Sequence, residues 1–203
     1  EFKNDICIDL CAAPGGKTAH IAALMHNEGS IVATDRSRPR CHRMRALLKM
    51  LGASAHVRSA DGTQLGYHEE MAYDRVLVDA PCSGEGRFTL ESEKTYLDWT
   101  HNKTRRLASL QKALLHSAIH AVRPGGVVVY STCTYSKAEN EAVIERALKR
   151  YGEGPTGIEL ESFSETLPDE AGGMMRSIPD PSGDPVAQAM EGFFIAKLRR
   201  RER

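Results

Sequence analysis

The sequence predicts an α/β fold in which a mostly parallel sheet is covered by helices on both faces. Short apolar runs alternate with helical patterns along most of the chain, and that alternation builds βαβ units. The 203 residues are 41% hydrophobic and 27% charged, enough for one domain with a full core and short for two. No internal repeat and no domain-splitting linker interrupts residues 1–203, so a single domain is expected.

The elements follow in order. Ile6–Cys11 reads as a buried strand and Lys17–His26 as a helix. Ile31–Asp35 is a second strand. Pro39–Leu51 is a helix, with Ser37 as its cap, Pro39 in the first turn and Gly52 as the stop. Ala55–Asp61 and Arg75–Ala80 are further strands. Asn102–Val122 is a long amphipathic helix ended by Arg123-Pro124-Gly125-Gly126, and Val127–Cys133 is the fifth strand. Ser136 and Glu139 have the spacing of a capping box for a helix reaching about Arg150. Residues 164–191, rich in Gly, Pro and Asp, read as a long loop before a last strand, Gly192–Leu198.

Composition narrows the function classes. Apolar runs such as Gly125–Tyr130 are far too short to cross a bilayer, so no membrane partner is expected. No basic, apolar, small-residue leader opens the chain, so a secretory signal is not expected, and a start at Glu1 suggests a piece of something longer. Lys plus Arg and Asp plus Glu both total 27, which leaves no global argument for nucleic acid. Locally, Arg36–Ala60 and Trp99–Ala138 carry seven and six basic residues with no acid, and the tail from Lys197 is basic again. Such stretches attract phosphate backbones, although solvated helix faces carry the same charges. Five cysteines without a C-x-x-C pair argue against a disulfide framework and a zinc finger. A reducing, cytoplasmic setting and no metal are expected.

In an open α/β sheet, ligands bind at the carboxyl ends of the strands. Those ends hold Asp9 through Thr18, Asp35, Asp61, Asp79 through Gly84, and Ser131 through Thr134. A lone Asp after a strand is ordinarily a cap or turn residue; carboxylates at four successive strand ends are a different matter. The first loop ends in Gly15-Gly16-Lys17-Thr18, yet a phosphate-binding loop needs Gly where Cys11 stands, and no G-x-G-x-x-G is present. What remains is a small-residue loop that admits a ligand close to the backbone, followed by an acid suited to ribose hydroxyls. S-adenosylmethionine (SAM) fits that description better than NAD or ATP.

Cys82 and Cys133 end the fourth and fifth strands. Adjacent strands lie about 4.8 Å apart, so both sulfurs can face one cleft, unless they are two inert buried thiols. Thiolate addition at C6 of a pyrimidine makes C5 nucleophilic enough to take a sulfonium methyl group. The charge at O2 and N3 must then be neutralised, and Lys17 and Asp79 are candidates for that contact. Chemistry alone does not order the two cysteines.

Asp-Leu-Cys-Ala-Ala-Pro-Gly-Gly-Lys-Thr, Asp-Ala-Pro-Cys-Ser-Gly-Glu-Gly and Ser-Thr-Cys-Thr-Tyr-Ser-Lys-Ala-Glu-Asn-Glu resemble the signature motifs of the RsmB/Nop2/Sun (NSUN) RNA cytosine-C5 methyltransferases. The match runs from about Ile6 to Leu148, and Glu191-Gly192-Phe193-Phe194 looks like that family's last strand. The resemblance implies a Rossmann-like class I SAM-dependent methyltransferase fold, with a seven-stranded sheet and an antiparallel last strand. It implies that Cys133 is the nucleophile and Cys82 assists product release. DNA cytosine methyltransferases, which share the plan, use the Cys of a Pro-Cys motif, here Cys82. The resemblance further implies a SAM pocket built from Cys11, Ala12, Ala13, Pro14, Gly15, Gly16, Lys17, Asp35, Asp61 and Asp79. Asp35 would hold the ribose and Asp61 the adenine side, with Lys17 and Asp79 reaching the base.

The expected activity is therefore 5-methylcytosine formation in rRNA or tRNA by a monomer. Family members usually carry an RNA-binding segment ahead of this domain, whereas only Glu1–Asp5 precede the first strand here. Phe88, Tyr96, Trp99 and Tyr135 are candidates to line a pocket for a turned-out base, or else core aromatics. Two other classes remain: a catalytically silent RNA-binding protein on the same fold, and a P-loop-like nucleotide hydrolase, which Cys11 disfavours.

Overall fold

The computed structural model describes residues 4–154, 157–163, 173–178 and 191–202. Five strands, β1 (Ile6–Asp9), β2 (Ser30–Asp35), β3 (His56–Ser59), β4 (Tyr73–Asp79) and β5 (Val122–Thr132), pair in parallel in the order β3-β2-β1-β4-β5. The long β8 (Phe193–Arg200) adds antiparallel to β5. Its outer edge is shared by two short strands, β6 (Ile158–Leu160) and β7 (Met174–Ser177). The expected mixed sheet and antiparallel last strand are present. Among the described residues the strands number eight rather than seven because β6 and β7 divide one edge position.

Alternation along the strands builds two cores. Ile8, Val76, Val78, Val128 and Tyr130 pack in one buried cluster with Leu65, Leu114, Leu115, Val143 and Ile144. These come from α3 (Gly62–His68), α4 (His101–Ala121) and α5 (Glu141–Tyr151). Cys7, Ile31 and Ala33 point to the other face. There they meet Ala22 and Met25, from α1 (Gly16–Leu24) and its end, and Cys41, Met44 and Leu48 of α2 (Arg38–Met50). Cys7 and Cys41 are thus packing residues. The strand order reverses between β1 and β4, the crevice where an open α/β sheet takes its ligand.

Four local expectations need correction. The strand expected to run to Asp61 stops at Ser59, and α3 follows. Two glycines in seven residues hide that helix, yet they are what seats it: a Cβ at Gly66 would stand 1.9 Å from the Ser117 carbonyl oxygen of α4. Strand β5 begins at Val122 rather than Val127. Its Arg123–Gly126 segment bulges out of register, with Gly125 at φ +77°. The capping box does not form. Asn140 precedes α5, and Glu139 turns inward with 0% exposure. Finally, the segment read as one loop contains β7; residues 164–172 and 179–190 lie outside the described residues.

Candidate active site

The loop after β1 is shaped by a buried carboxylate. Asp9 is 1% exposed and accepts from the Thr18 hydroxyl at 2.8 Å and the Cys11 N–H at 3.4 Å. Burial raises its pKa to about 7. The Ala13–Pro14 bond is cis and Gly15 sits at φ 110°, a region that favours glycine. A Cβ at Gly15 would also stand 2.9 Å from Met44. Burial, with Asp9 beside it, pushes the Cys11 thiol far up, so Cys11 stays a neutral wall.

A cavity of about 720 Å³ opens over the strand ends, within the roughly 300–1,000 Å³ common for small-molecule sites. Cys11, Ala13, Pro14, Lys17, Asp35, Asp61, Asp79, Cys82 and Cys133 all line it. Ala12, Gly15 and Gly16 shape the loop without lining it. Asp35 accepts from the Ser37 N–H through Oδ1 at 2.8 Å, and its Oδ2 faces Arg40 at 2.9 Å. Each oxygen keeps a lone pair for a diol. Asp61 is the α3 cap, its Oδ1 taking the Thr63 N–H and hydroxyl. Both readings of that residue therefore hold, a helix cap and a cavity wall. Asp79 bridges Lys17 Nζ at 2.8 Å and the Ser131 hydroxyl at 2.9 Å.

The two cysteines meet. Cys82 Sγ and Cys133 Sγ lie 3.2 Å apart. A single proton shared between them leaves one thiolate, and the balance of contacts puts it on Cys133. The Cys82 S–H donates to it and Arg87 adds positive charge, which together outweigh burial and the nearby Asp79 and Glu191. Cys133 is lowered to about 7, while the partner hydrogen bond and burial push Cys82 far up. The Cys133 and Gly84 N–H groups, aimed at Cys82, oppose this and are the weaker influence. No histidine neighbours Cys133 in the sequence; the second thiol takes the place of such an activator. Alkylation of Cys133 by iodoacetamide, followed by peptide mass spectrometry, is expected to rise through a midpoint at about pH 7. In Cys82→Ala the midpoint should climb toward the free-thiol value near 8.5; an unmoved midpoint would remove the inter-thiol hydrogen bond from this account.

With this geometry in view, comparison places the chain among known proteins. A family profile described as 16S rRNA methyltransferase RsmB/F matches residues 2–199. The chain belongs to this family. Ribosomal RNA small subunit methyltransferase F of Aeromonas salmonicida (strain A449) is 36% identical over 203 residues, covering 98% of this chain and 41% of that protein. Its counterpart in Vibrio campbellii (strain ATCC BAA-1116) is 38% identical over 197 residues, covering 97% of this chain and 40% of that protein. The crystal structure of NSun6 from Pyrococcus horikoshii with SFG superposes with a TM-score of 0.82 at 33% identity, over 99% of this chain and 49% of that one. The chain thus spans about two fifths of the length of these methyltransferase F relatives.

In this RsmB/F-family chain, the cysteine loops are held by residues to which the sequence assigns no role at the site. Glu139 Oε2 accepts from the Ser83 N–H at 3.0 Å and from Gln111 Nε2 at 2.7 Å, and Gln111 Nε2 also reaches the Pro81 carbonyl at 2.8 Å. Asn140 ties Thr132 to the Thr134 carbonyl, and the Ser83 and Thr134 hydroxyls meet at 2.7 Å. Gln111, Glu139 and Asn140 are all 0% exposed. Buried polar side chains of this kind hold one another through hydrogen bonds, and here those bonds clamp Cys82 to Cys133. The available signal was Glu139-Asn140, at the end of the same motif that opens with Thr132-Cys133-Thr134.

The aromatic expectation is not met. Phe88, Tyr96, Trp99 and Tyr135 lie outside the cavity wall. Trp99 instead donates to Glu85 at 2.8 Å, and Phe88 packs edge-on to Tyr96. The ring that lines the cavity is Phe193, 5.2 Å from Lys17 Nζ. Several basic residues prove structural as well. Arg58 pairs with Glu69, Lys197 and Arg199 with Glu161, and Arg201 with Glu159, so these three cations of the tail are engaged within the fold.

Proposed function

We propose that these residues form a single catalytic domain that methylates C5 of cytosine in RNA, with SAM as methyl donor and Cys133 as nucleophile. The observation that carries this reading is the Cys82–Cys133 pair on the wall of a cavity whose opposite side is lined by Asp35 and Asp61. The cavity's size, the spare lone pairs of Asp35 and the apolar flank of Leu107, Leu110 and Leu114 fit an adenosine with a short aliphatic chain. The SAM analogue SFG in the NSun6 structure supports the same ligand class.

When bound, SAM supplies an electrophilic methyl group beside the target base. The Cys133 thiolate forms the S–C6 bond, which leaves C5 electron-rich. Lys17 neutralises charge building at O2 and N3, and Asp79, held by Lys17 and Ser131, accepts from the exocyclic amine. After methylation the C5 proton passes to water and the S–C6 bond breaks. The Cys82 S–H that stabilises the thiolate as nucleophile stabilises it again as leaving group.

A thiolate and a sulfonium ask for no metal. The same reading describes a monomer working in the cytoplasm, where its thiols stay reduced. Small-subunit rRNA leads as substrate because the relatives are named for it, with tRNA second. Incubation with methyl-labelled SAM and an rRNA/tRNA pool, then nucleoside digestion, is expected to put the label in 5-methylcytidine. Label confined to another nucleoside, or no label at all, would sink the reading.

A further inference from the structure

A second groove, of about 410 Å³, runs between α3, α4 and α5. Lys112, Arg146 and Arg150 line it together with His116, and no carboxylate does. Among the described residues Lys112 and Arg146 form no ion pair, whereas many other arginines of the chain do. His120 faces Glu70 at 3.8 Å, and neither residue lines the groove. Burial lowers the His116 pKa, and the charges of His120 and Arg150 lower it further, as expected where cations face one another uncompensated.

Aromatic surface accompanies the charge. Tyr67 is 55% exposed; one side of its ring stacks on His120 at 5.3 Å, and its hydroxyl contacts His116 Nδ1 at 2.7 Å. Those contacts hold the ring rigid while leaving much of it open. Arg150 lies over Tyr151. A positive groove with ring faces is how proteins hold single-stranded nucleic acid without reading its sequence, the cations tracking phosphates and the rings stacking bases. An acidic peptide would use the cations but has no need of the rings. The groove also adjoins the catalytic cavity, since Thr63 lines both.

We propose that the α3–α4–α5 groove holds a single-stranded stretch of RNA flanking the target cytosine, with phosphates on Lys112, Arg146 and Arg150 and a base on Tyr67. This rests on the reading that the substrate is RNA, and it adds a path for the strand outside the catalytic cavity. The contacts are independent of sequence, so they contribute affinity and register rather than choice of cytosine.

The test is fluorescence anisotropy of a labelled single-stranded RNA oligonucleotide binding to this chain, between about 50 mM and 200 mM salt. Combined Lys112→Ala, Arg146→Ala and Arg150→Ala is expected to weaken binding at least roughly tenfold. It should also flatten the slope of log affinity against log salt by about 2, at about 0.7 per phosphate released from single strands. Tyr67→Leu is expected to weaken binding roughly fivefold or more with the slope unchanged, because stacking releases no counterions. All four side chains are on the surface, and unchanged thermal unfolding confirms that the variants fold. Combined Arg38→Ala, Arg43→Ala and Lys49→Ala, on α2, serves as a charge-matched control expected to bind like wild type.

Wild-type affinity and slope in the triple variant would overturn the proposal, leaving the groove to an acidic protein partner. Absence of RNA binding by the wild-type chain would overturn it equally. Groove-dependent binding without 5-methylcytidine would leave this proposal standing and sink the catalytic one. Methylation with groove-independent binding would do the reverse.

Discussion

Cys133→Ser is expected to reduce methyl transfer by on the order of 10⁴-fold or more, the scale seen when an enzyme loses its nucleophile. A serine hydroxyl at that position has neither the acidity nor the softness to add to C6. At about 1.4 kcal/mol per decade, this is at least 5 to 6 kcal/mol of transition-state stabilisation. Cys82 should behave differently. Without its S–H the Cys133 thiolate is less stable, so addition slows, and elimination slows as well because the leaving group is worse. In Cys82→Ala the adduct, once formed, should therefore persist, and a protein–RNA band should accumulate on denaturing gels with ordinary cytosine RNA. Trapping with RNA containing 5-azacytidine should yield a band in wild type and none in Cys133→Ser. A band that vanishes only when Cys82 is changed would reverse the two assignments.

The second large effect is expected at Glu139, a residue that touches no substrate. Glu139→Ala leaves the Ser83 N–H and one Gln111 contact without an acceptor in a fully buried setting. Each unsatisfied donor costs about 1–3 kcal/mol. For a chain of this size every 1 kcal/mol moves the melting temperature by about 2–4 °C, so a fall of roughly 10 °C is expected by differential scanning calorimetry. Glu139→Gln separates packing from charge. Its carbonyl oxygen can take both donors, and its amide replaces Oε1, which has no partner among the described residues. We expect Gln to restore most of the stability and to keep the Cys133 alkylation midpoint near pH 7. A midpoint that moves up in Glu139→Gln while stability is retained would show that the carboxylate acts through charge and not by holding the loop.

The strand ends were legible because a buried parallel sheet writes itself as apolar runs, and whatever interrupts such a run at its carboxyl end stands out. Asp35, Asp61, Asp79, Cys82 and Cys133 were found that way, and the structure brings all five to one cavity. Helix α3 was illegible because Gly62 and Gly66 depress helix propensity locally, while their value lies in a contact with α4 some fifty residues away. Arg87 and Gln111 were illegible for a related reason: neither belongs to a pattern, and each matters only through its distance from a cysteine loop. The basic tail was legible as charge and misleading as a surface, since β8 pairs its cations with Glu159 and Glu161 across strands.

The sequence by itself determined which groups stand at the carboxyl ends of β1 to β5, since apolar periodicity and strand length need no partner to be read. It also determined that two thiols would be neighbours across a strand pair. Tertiary structure alone decided which thiol holds the proton, because that depends on a 3.2 Å sulfur contact and on the placement of Arg87. It alone turned Glu139 from a helix cap into the buried acceptor that ties the two cysteine loops together. Hydrogen bonds and charge effects act over a few ångströms, and the residues that share them here are separated by 28 to 56 positions in the chain.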